Sequence, residues 1–208
     1  MKKIKDRYGF IAERCRGKTV LDLGAVGENY KVHSERTPWL HLYLKDTAKE
    51  LLGLDLCPSE ILQEAEKMSG TRIMSGNVTD FDLRRQFDVV VAGELIEHLD
   101  DFRGFFSCVK KHLRSDSLFI LSTPNCFAFD NLFNALLFGK TKHHPGHIVY
   151  FDQGTLGELL QRHGFEVVEW FYGTEKELSK YKVGLIRFLG GFRPIFNKDI
   201  TAVCRLKQ

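Results

Sequence analysis

Thr19-Val20-Leu21-Asp22-Leu23-Gly24-Ala25-Val26-Gly27-Glu28-Asn29 decides how the rest of the chain is read. Thr19 to Leu23 is short, apolar apart from one acid, and rich in residues that pack in a sheet, so it predicts a buried strand. The strand stops at Gly24. Glycine there and at Gly27 lets the backbone turn tightly and lets a ligand approach it closely.

The alternation continues on both sides of this stretch. Upstream, Lys2 to about Cys15 reads as a short leading helix. Downstream, Pro38 opens a helix to about Glu50, with Trp39, Leu42 and Tyr43 on its apolar side. Leu51–Leu56 is a second strand, and Pro58 sits at the first position of another helix that faces Ile61, Leu62 and Ala65 inward. Arg72–Met74 and Phe87–Ala92 are strands three and four. A helix over Phe102–Leu113 leads to strand five, Leu118–Ser122. Phe127–Phe138 and Gln153–His163 read as helices, the latter stopped by Gly164. Phe165–Trp170 and Ile200–Leu206 are the last strands.

Strands alternating with helices give an α/β fold, a mostly parallel sheet with helices on both faces. Such sheets bind ligands at the carboxyl ends of their strands. The residues to watch are therefore Gly24, Asp55, Asn77, Gly93 to His98, and Thr123-Pro124-Asn125. A carboxylate at Asp55 can accept both hydroxyls of a ribose, because an ionised carboxylate only accepts. The side-chain amide of Asn77 suits an adenine edge, and Gly93 ends strand four near the centre of the site.

The chain has 208 residues, 43% hydrophobic and 27% charged, which is ordinary for one globular domain with its own core. A formal net charge of +3 is too mild to argue for nucleic acid. The five cysteines are odd in number and contain no Cys-x-x-Cys pair, so the expectation is free thiols in the cytoplasm, not disulfides or a cysteine zinc site. The basic N-terminus lacks the apolar run of a signal peptide, and no stretch of about 18 apolar residues predicts a transmembrane helix.

From Val20 to Arg205, the order and spacing of these motifs resemble the class I S-adenosylmethionine-dependent methyltransferases. The likeness includes Glu94-Leu95-Ile96-Glu97-His98-Leu99, Ser122-Thr123-Pro124-Asn125 and the late pattern from Leu156 to Gly164-Phe165-Glu166-Val167. The resemblance implies a Rossmann-like sheet of seven strands with the last antiparallel, and S-adenosylmethionine as the cofactor. It implies Asp22, Gly24 and Gly27 around the methionine part, Asp55 on the ribose, Asn77 and Val78 beside the adenine, and Gly93 near the centre. Val26 and Glu28 occupy slots where that family usually has glycine, and with Trp39-Leu40-His41 they suggest a variant loop. A nicotinamide enzyme fits poorly: the Gly-x-Gly-x-x-Gly fingerprint is absent and the acid after strand two comes late.

Methyl transfer to a hydroxyl needs the nucleophile aligned and its proton removed. Glu94, Glu97 and His98 are spaced i, i+3 and i+4, so a helix beginning there would put all three on one face. Such a group can hold a general base or a divalent metal. Glu-x-x-Glu-His is similar to O-methyltransferases of ubiquinone precursors and of the 3′-terminal ribose of small RNAs, in which these residues are associated with a divalent cation. His147, in His143-His144-Pro145-Gly146-His147, matches the downstream histidine of the RNA group. Catalytic candidates are Glu97, His98 and His147; metal candidates are Glu94, Glu97, His98 and His147, with the metal optional. Asn125 is expected to present its amide to the acceptor, whereas His33, His41, His112 and His163 read as surface or packing residues.

The whole chain, 1–208, reads as one methyltransferase domain with an acceptor lid over 126–150 and an insertion before the last strand over 173–198. The leading function is O-methylation of a small-molecule, lipid-linked or sugar-containing acceptor. The alternatives are RNA 3′-terminal ribose methylation and a non-catalytic cofactor-binding protein. The apolar stretches from Phe127 to Phe138 and from Gly184 to Phe196 leave room for a homodimer face or a peripheral membrane contact.

Overall fold

The computed structural model describes residues 2–4, 6–27, 30–31, 39–140, 144–173 and 193–207. Its strands are β1 (Lys2–Ile4), β2 (Thr19–Leu23), β3 (Glu50–Asp55), β4 (Arg72–Ser75), β5 (Phe87–Gly93), β6 (Leu113–Pro124), β7 (Phe165–Gly173) and β8 (Asp199–Leu206). They join in one sheet in the order β1-β7-β8-β6-β5-β2-β3-β4. β8 runs antiparallel to β6 and β7, and every other neighbouring pair is parallel. The expected sheet of seven strands with an antiparallel last strand is present, and the three-residue β1 extends its edge beside β7.

The helices are α1 (Arg7–Arg14), α2 (Leu40–Lys45), α3 (Ser59–Ser69), α4 (Phe102–Lys111), α5 (Phe129–Phe138) and α6 (Gln153–Arg162). The central strands are apolar at consecutive positions, and the period of two sends alternate residues to opposite faces. Leu21, Leu23, Val90, Ala92, Phe119 and Leu121 share one core with Phe105 and Phe106 of α4 and Leu156 and Leu160 of α6. Val20, Val89, Val91 and Ile120 share another with Ile11 and Ala12 of α1 and Leu44 of α2. A strand buried on both sides has no polar face to show, which is why these runs lack alternation in sequence.

Three local expectations differ from the fold. The leading segment is not helical from Lys2: β1 pairs with β7 before α1 starts at Arg7, where the Asp6 side chain accepts from the Gly9 N–H at 3.1 Å. The helix expected from Pro38 to Glu50 is shorter. Pro38 lies outside the described residues, and α2 ends at Lys45. The Thr47 hydroxyl donates to the carbonyls of Tyr43 and Leu44, satisfying helix-end acceptors locally and releasing Glu50 to begin β3. Finally, Glu94 does not begin an α-helix. It sits at φ +52 and is followed only by one 3-10 turn, Ile96–His98.

The chain moves outward from β2 through β3 to β4, then returns to lay β5 on the other side of β2. The loops leaving β2 and β5 therefore diverge at a topological switch point, where sheets of this kind form a crevice.

Candidate active site

Gly24 turns the chain out of β2 at φ +74, and Gly27 follows at φ +58. Among the described residues, a side chain at Gly27 would meet no atom within 4 Å. The N–H groups of Gly24 and Ala25 bond to the Leu54 carbonyl at 2.9 and 3.3 Å, and the Val26 N–H donates to Asp55 Oδ2 at 2.9 Å. Burial raises the Asp55 carboxyl above its ordinary range, against the pull of the Val26, Gly27 and Leu56 N–H groups. Val26, the residue in a glycine slot, packs in a core of its own with Trp39, Leu62, Ala65 and Ile73. Its side chain thus belongs to the support of the loop. Glu28 lies outside the described residues.

Asp22 is 2% exposed, and its Oδ2 lies 2.7 Å from His41 Nδ1. His41 Nε2 lies 2.7 Å from the Thr71 hydroxyl. His41 is fully buried, so it is a wired connection between β2, α2 and the start of β4, not a surface residue. The reading of Asp22 as a neighbour of the cofactor's methionine part has to allow for this: its carboxylate is turned toward the imidazole. The signal available in sequence was the unusual Trp39-Leu40-His41 run, which carried no hint of the partner.

Asn77 is exposed, and its Oδ1 accepts from the N–H and hydroxyl of Thr79. Val78 is buried in the main core. Gly93 ends β5 opposite Ser122.

Beyond Gly93 the four acceptor-side candidates separate. Glu94 pairs with Arg7, which also lies 3.3 Å from Asp199. Burial pushes the Glu94 carboxyl up to about 7 against the attraction of Arg7. Glu97, His98 and His147 instead converge, with one ligand atom from each all within 4.8 Å of one another. Glu97 is 1% exposed; its Oε2 accepts from the Thr123 hydroxyl at 3.0 Å, and its Oε1 has no hydrogen-bond partner among the described residues and lies 4.0 Å from His147 Nε2. Burial, reinforced by the charge of Glu94, pushes the Glu97 carboxyl up to about 8.

The segment carrying His147 is held by backbone: the Ile148 N–H donates to the Glu97 carbonyl at 2.9 Å. His98 Nδ1 lies 3.1 Å from the Gly146 carbonyl. A carbonyl can only accept, so Nδ1 carries a proton and the neutral ring keeps its lone pair on Nε2. The His98 and His147 rings stand perpendicular, 4.6 Å between centroids.

Asn125 does not face the site. It is 1% exposed and donates to the carbonyls of Ile195 and Asn197 at 2.6 and 2.8 Å, tying the end of β6 to the approach of β8. Thr123, named only as part of a motif, is the residue that orients Glu97. His112 is internal, its Nδ1 2.7 Å from the Cys108 carbonyl and its Nε2 accepting from the Leu83 N–H. His163 stacks on Phe106, and His33 lies outside the described residues.

The methyltransferase-domain family model matches residues 2–170. The chain belongs to that family, within the class I S-adenosylmethionine-dependent methyltransferases. The chain is 32% identical over 162 residues to a probable S-adenosylmethionine-dependent methyltransferase of Mycolicibacterium smegmatis. The match covers 77% of this chain and 56% of the relative, so the chain spans about half of that protein's length.

Solved structures share the fold at low identity. One is an S-adenosylmethionine-dependent methyltransferase from Clostridium acetobutylicum: TM-score 0.63, 15% identity, 97% of this chain and 91% of that one. Another is the glycopeptide N-methyltransferase MtfA, solved with S-adenosylhomocysteine: TM-score 0.65, 17% identity, 99% and 92% covered.

The residues fit the donor. Gly27 adopts a positive φ with no described atom within 4 Å of where a side chain would stand, and Asp55, a carboxylate able to accept from ribose hydroxyls, stands at the end of β3 and binds the Val26 N–H of the same loop.

Proposed function

We propose that this protein transfers a methyl group from S-adenosylmethionine to an oxygen nucleophile on a small-molecule, lipid-linked or sugar-containing acceptor. The observation that carries the oxygen assignment is Glu97: a buried carboxyl with one unbonded oxygen, raised basicity and two imidazoles beside it. A hydroxyl must lose its proton as it attacks, and a general base works best with a pKa near the operating pH.

S-adenosylmethionine, when bound, supplies a methyl group on a positively charged sulfur. Asp55 would hold the ribose, Gly24 and Gly27 would let the backbone approach the amino-acid part, Asn77 and Val78 would border the adenine, and Gly93 would leave room at the centre. Glu97 in its ionised form takes the acceptor's proton through its buried Oε1, and His147, whose Nε2 lies 4.0 Å from that oxygen, orients the acceptor beside it. His98 orients the acceptor from the adjacent edge.

The same three groups, one carboxylate and two imidazoles, are also a donor set suited to a divalent transition metal. An ion held by Glu97, His98 and His147 would lower the pKa of a bound hydroxyl in place of the base. Glu94, paired with Arg7, does not contribute to this cluster. The region 126–150, which contains α5 and the histidine segment, would cover the acceptor. The stretch 173–198 falls largely outside the described residues, so its reading as an insertion stands on sequence alone.

The convergence of His147 on Glu97 and His98 also favours one second reading, methylation of an RNA 3′-terminal ribose, which would use the same groups on a larger acceptor. The test is incubation of the protein and methyl-labelled donor with a metabolite and lipid extract, and separately with small RNA, each with and without a chelator. Label on a hydroxyl of a small or lipid-borne product supports the first reading; label only in RNA replaces it with the second. Label on nitrogen or carbon overturns the oxygen assignment, and loss of labelling with chelator, restored by metal, assigns the cluster to an ion.

A further inference from the structure

The last turn of α5 places Ala135, Leu136, Leu137 and Phe138 in succession, all exposed. Leu136 is 84%, Leu137 61% and Phe138 64% accessible. Successive helical residues point about 100° apart, so these three large side chains spread around more than half of the helix end. A helix that rests on a core has one apolar stripe and a polar back. Here the tip is apolar around its circumference, and among the described residues no side chain of α5 is buried.

Among the described residues the exposed apolar surface is concentrated: of ten exposed large hydrophobic residues, six lie between residues 127 and 150, namely Phe127, Leu136, Leu137, Phe138, Ile148 and Tyr150. This arm is anchored to the fold at its base and to the candidate active site near its far end. Asn125 bridges to Phe151 at its base, and Ile148 donates to the Glu97 carbonyl. Its charge is one-sided: residues 126–151 contain one acid, Asp130, against Lys140, Lys142 and three histidines. Lys140 is exposed two residues beyond Phe138.

A flat protein face covers one side of a helix. Side chains splayed around a helix end are covered by a medium that closes around them, and lysine just behind an apolar tip matches the negative headgroups of an anionic lipid surface. We propose that the tip of α5 inserts into an anionic lipid surface and holds the Glu97–His98–His147 cluster beside it, facing a lipid-borne acceptor. The docking rests on the surface of α5 alone; the acceptor clause rests on the function proposed above and narrows it to lipid-presented substrates.

The test is sedimentation of the full chain with phosphatidylcholine vesicles, with and without phosphatidylglycerol, which reads binding and not methyl transfer. The protein should pellet with the anionic vesicles and release as salt rises. Lys140→Glu should weaken binding about fivefold, and the double change Leu136→Asp with Phe138→Asp at least about tenfold. All three positions are exposed, so thermal melts should match the unaltered protein.

Failure to pellet with either vesicle, equal binding to neutral and anionic vesicles, or undiminished binding by the double variant would overturn the proposal. A dimer that the double variant converts to monomer, with lipid binding unchanged, would assign the face to a second copy. A lower melting temperature of the double variant would assign it to another segment of this chain. Vesicle binding with no label on any lipid would leave the docking standing and sink the acceptor clause.

Discussion

Glu97 has one oxygen bonded to Thr123, the other without a hydrogen-bond partner among the described residues, and almost no contact with solvent. Glu97→Gln keeps the shape and removes the basicity. Methyl transfer should fall by about 10²–10⁴-fold, while calorimetry with S-adenosylhomocysteine should show affinity unchanged within about threefold. Its stability consequence has a definite sign. The folded protein holds this carboxyl protonated to about pH 8, whereas its ordinary value is 4.5. Between those values the unfolded chain has released the proton and the folded chain has not, so stability is present at acid pH and declines as pH rises. Glu97→Gln should flatten that decline, seen as a melting temperature that changes less between about pH 5 and about pH 8.

Asp55 belongs to the same scale: its carboxylate accepts from the Val26 N–H, and the proposed function gives it the ribose to hold. Asp55→Ala should weaken S-adenosylhomocysteine binding by about 10–100-fold, the range expected when hydrogen bonds to a charged group are lost. Undiminished affinity would place the nucleoside elsewhere.

At the scale of elements, the crevice depends on how α2 is pinned. Its His41 reaches Asp22 on β2 and Thr71 ahead of β4, so one side chain sets the distance between three elements around the glycine loop. His41→Ala leaves the buried Asp22 carboxylate without its partner. Removing one member of a buried pair costs about 3–5 kcal/mol, to be read as a drop in the midpoint of urea unfolding. The apolar pattern selects Trp39, which is buried, and Leu42 and Tyr43, which pack against apolar clusters; what it does not reveal is that α2 also buries His41, a polar residue whose partners Asp22 and Thr71 come from other segments. A helix beginning at Glu94, which would have put it on one face with Glu97 and His98, does not form: Glu94 adopts a positive φ and pairs with Arg7 of the N-terminal helix α1.

At the scale of the whole molecule, segments distant in sequence meet at the carboxyl ends of the strands: Gly24, Asp55, Gly93, Glu97 and the histidine segment before α6. A ligand that binds there and not to the unfolded chain must stabilise the whole fold. At a hundredfold excess over its dissociation constant, S-adenosylhomocysteine should add about 2.7 kcal/mol. For a domain of this size that corresponds to a rise in melting temperature of about 5–10 °C. No rise at any concentration would favour a chain that does not bind the cofactor.

The alternation of strands and helices, the glycine turn after β2, Asp55 at a strand end and the candidates Glu97, His98 and His147 could be read from the chain by itself. Each is a local signal: apolar runs of strand length, punctuation by glycine and proline, and short motifs at fixed spacing. What required three dimensions were the partners. Glu94 and Glu97 look equivalent three residues apart, and only the approach of Arg7 to one and of Thr123 and His147 to the other distinguishes them. Asn125 and His41 carry no mark of being buried, because burial of a polar side chain depends on a hydrogen-bond partner supplied by a remote segment. Spacing along the chain determines what a residue is near in sequence; long-range packing determines what it touches, and the chemistry of the site follows from the contacts.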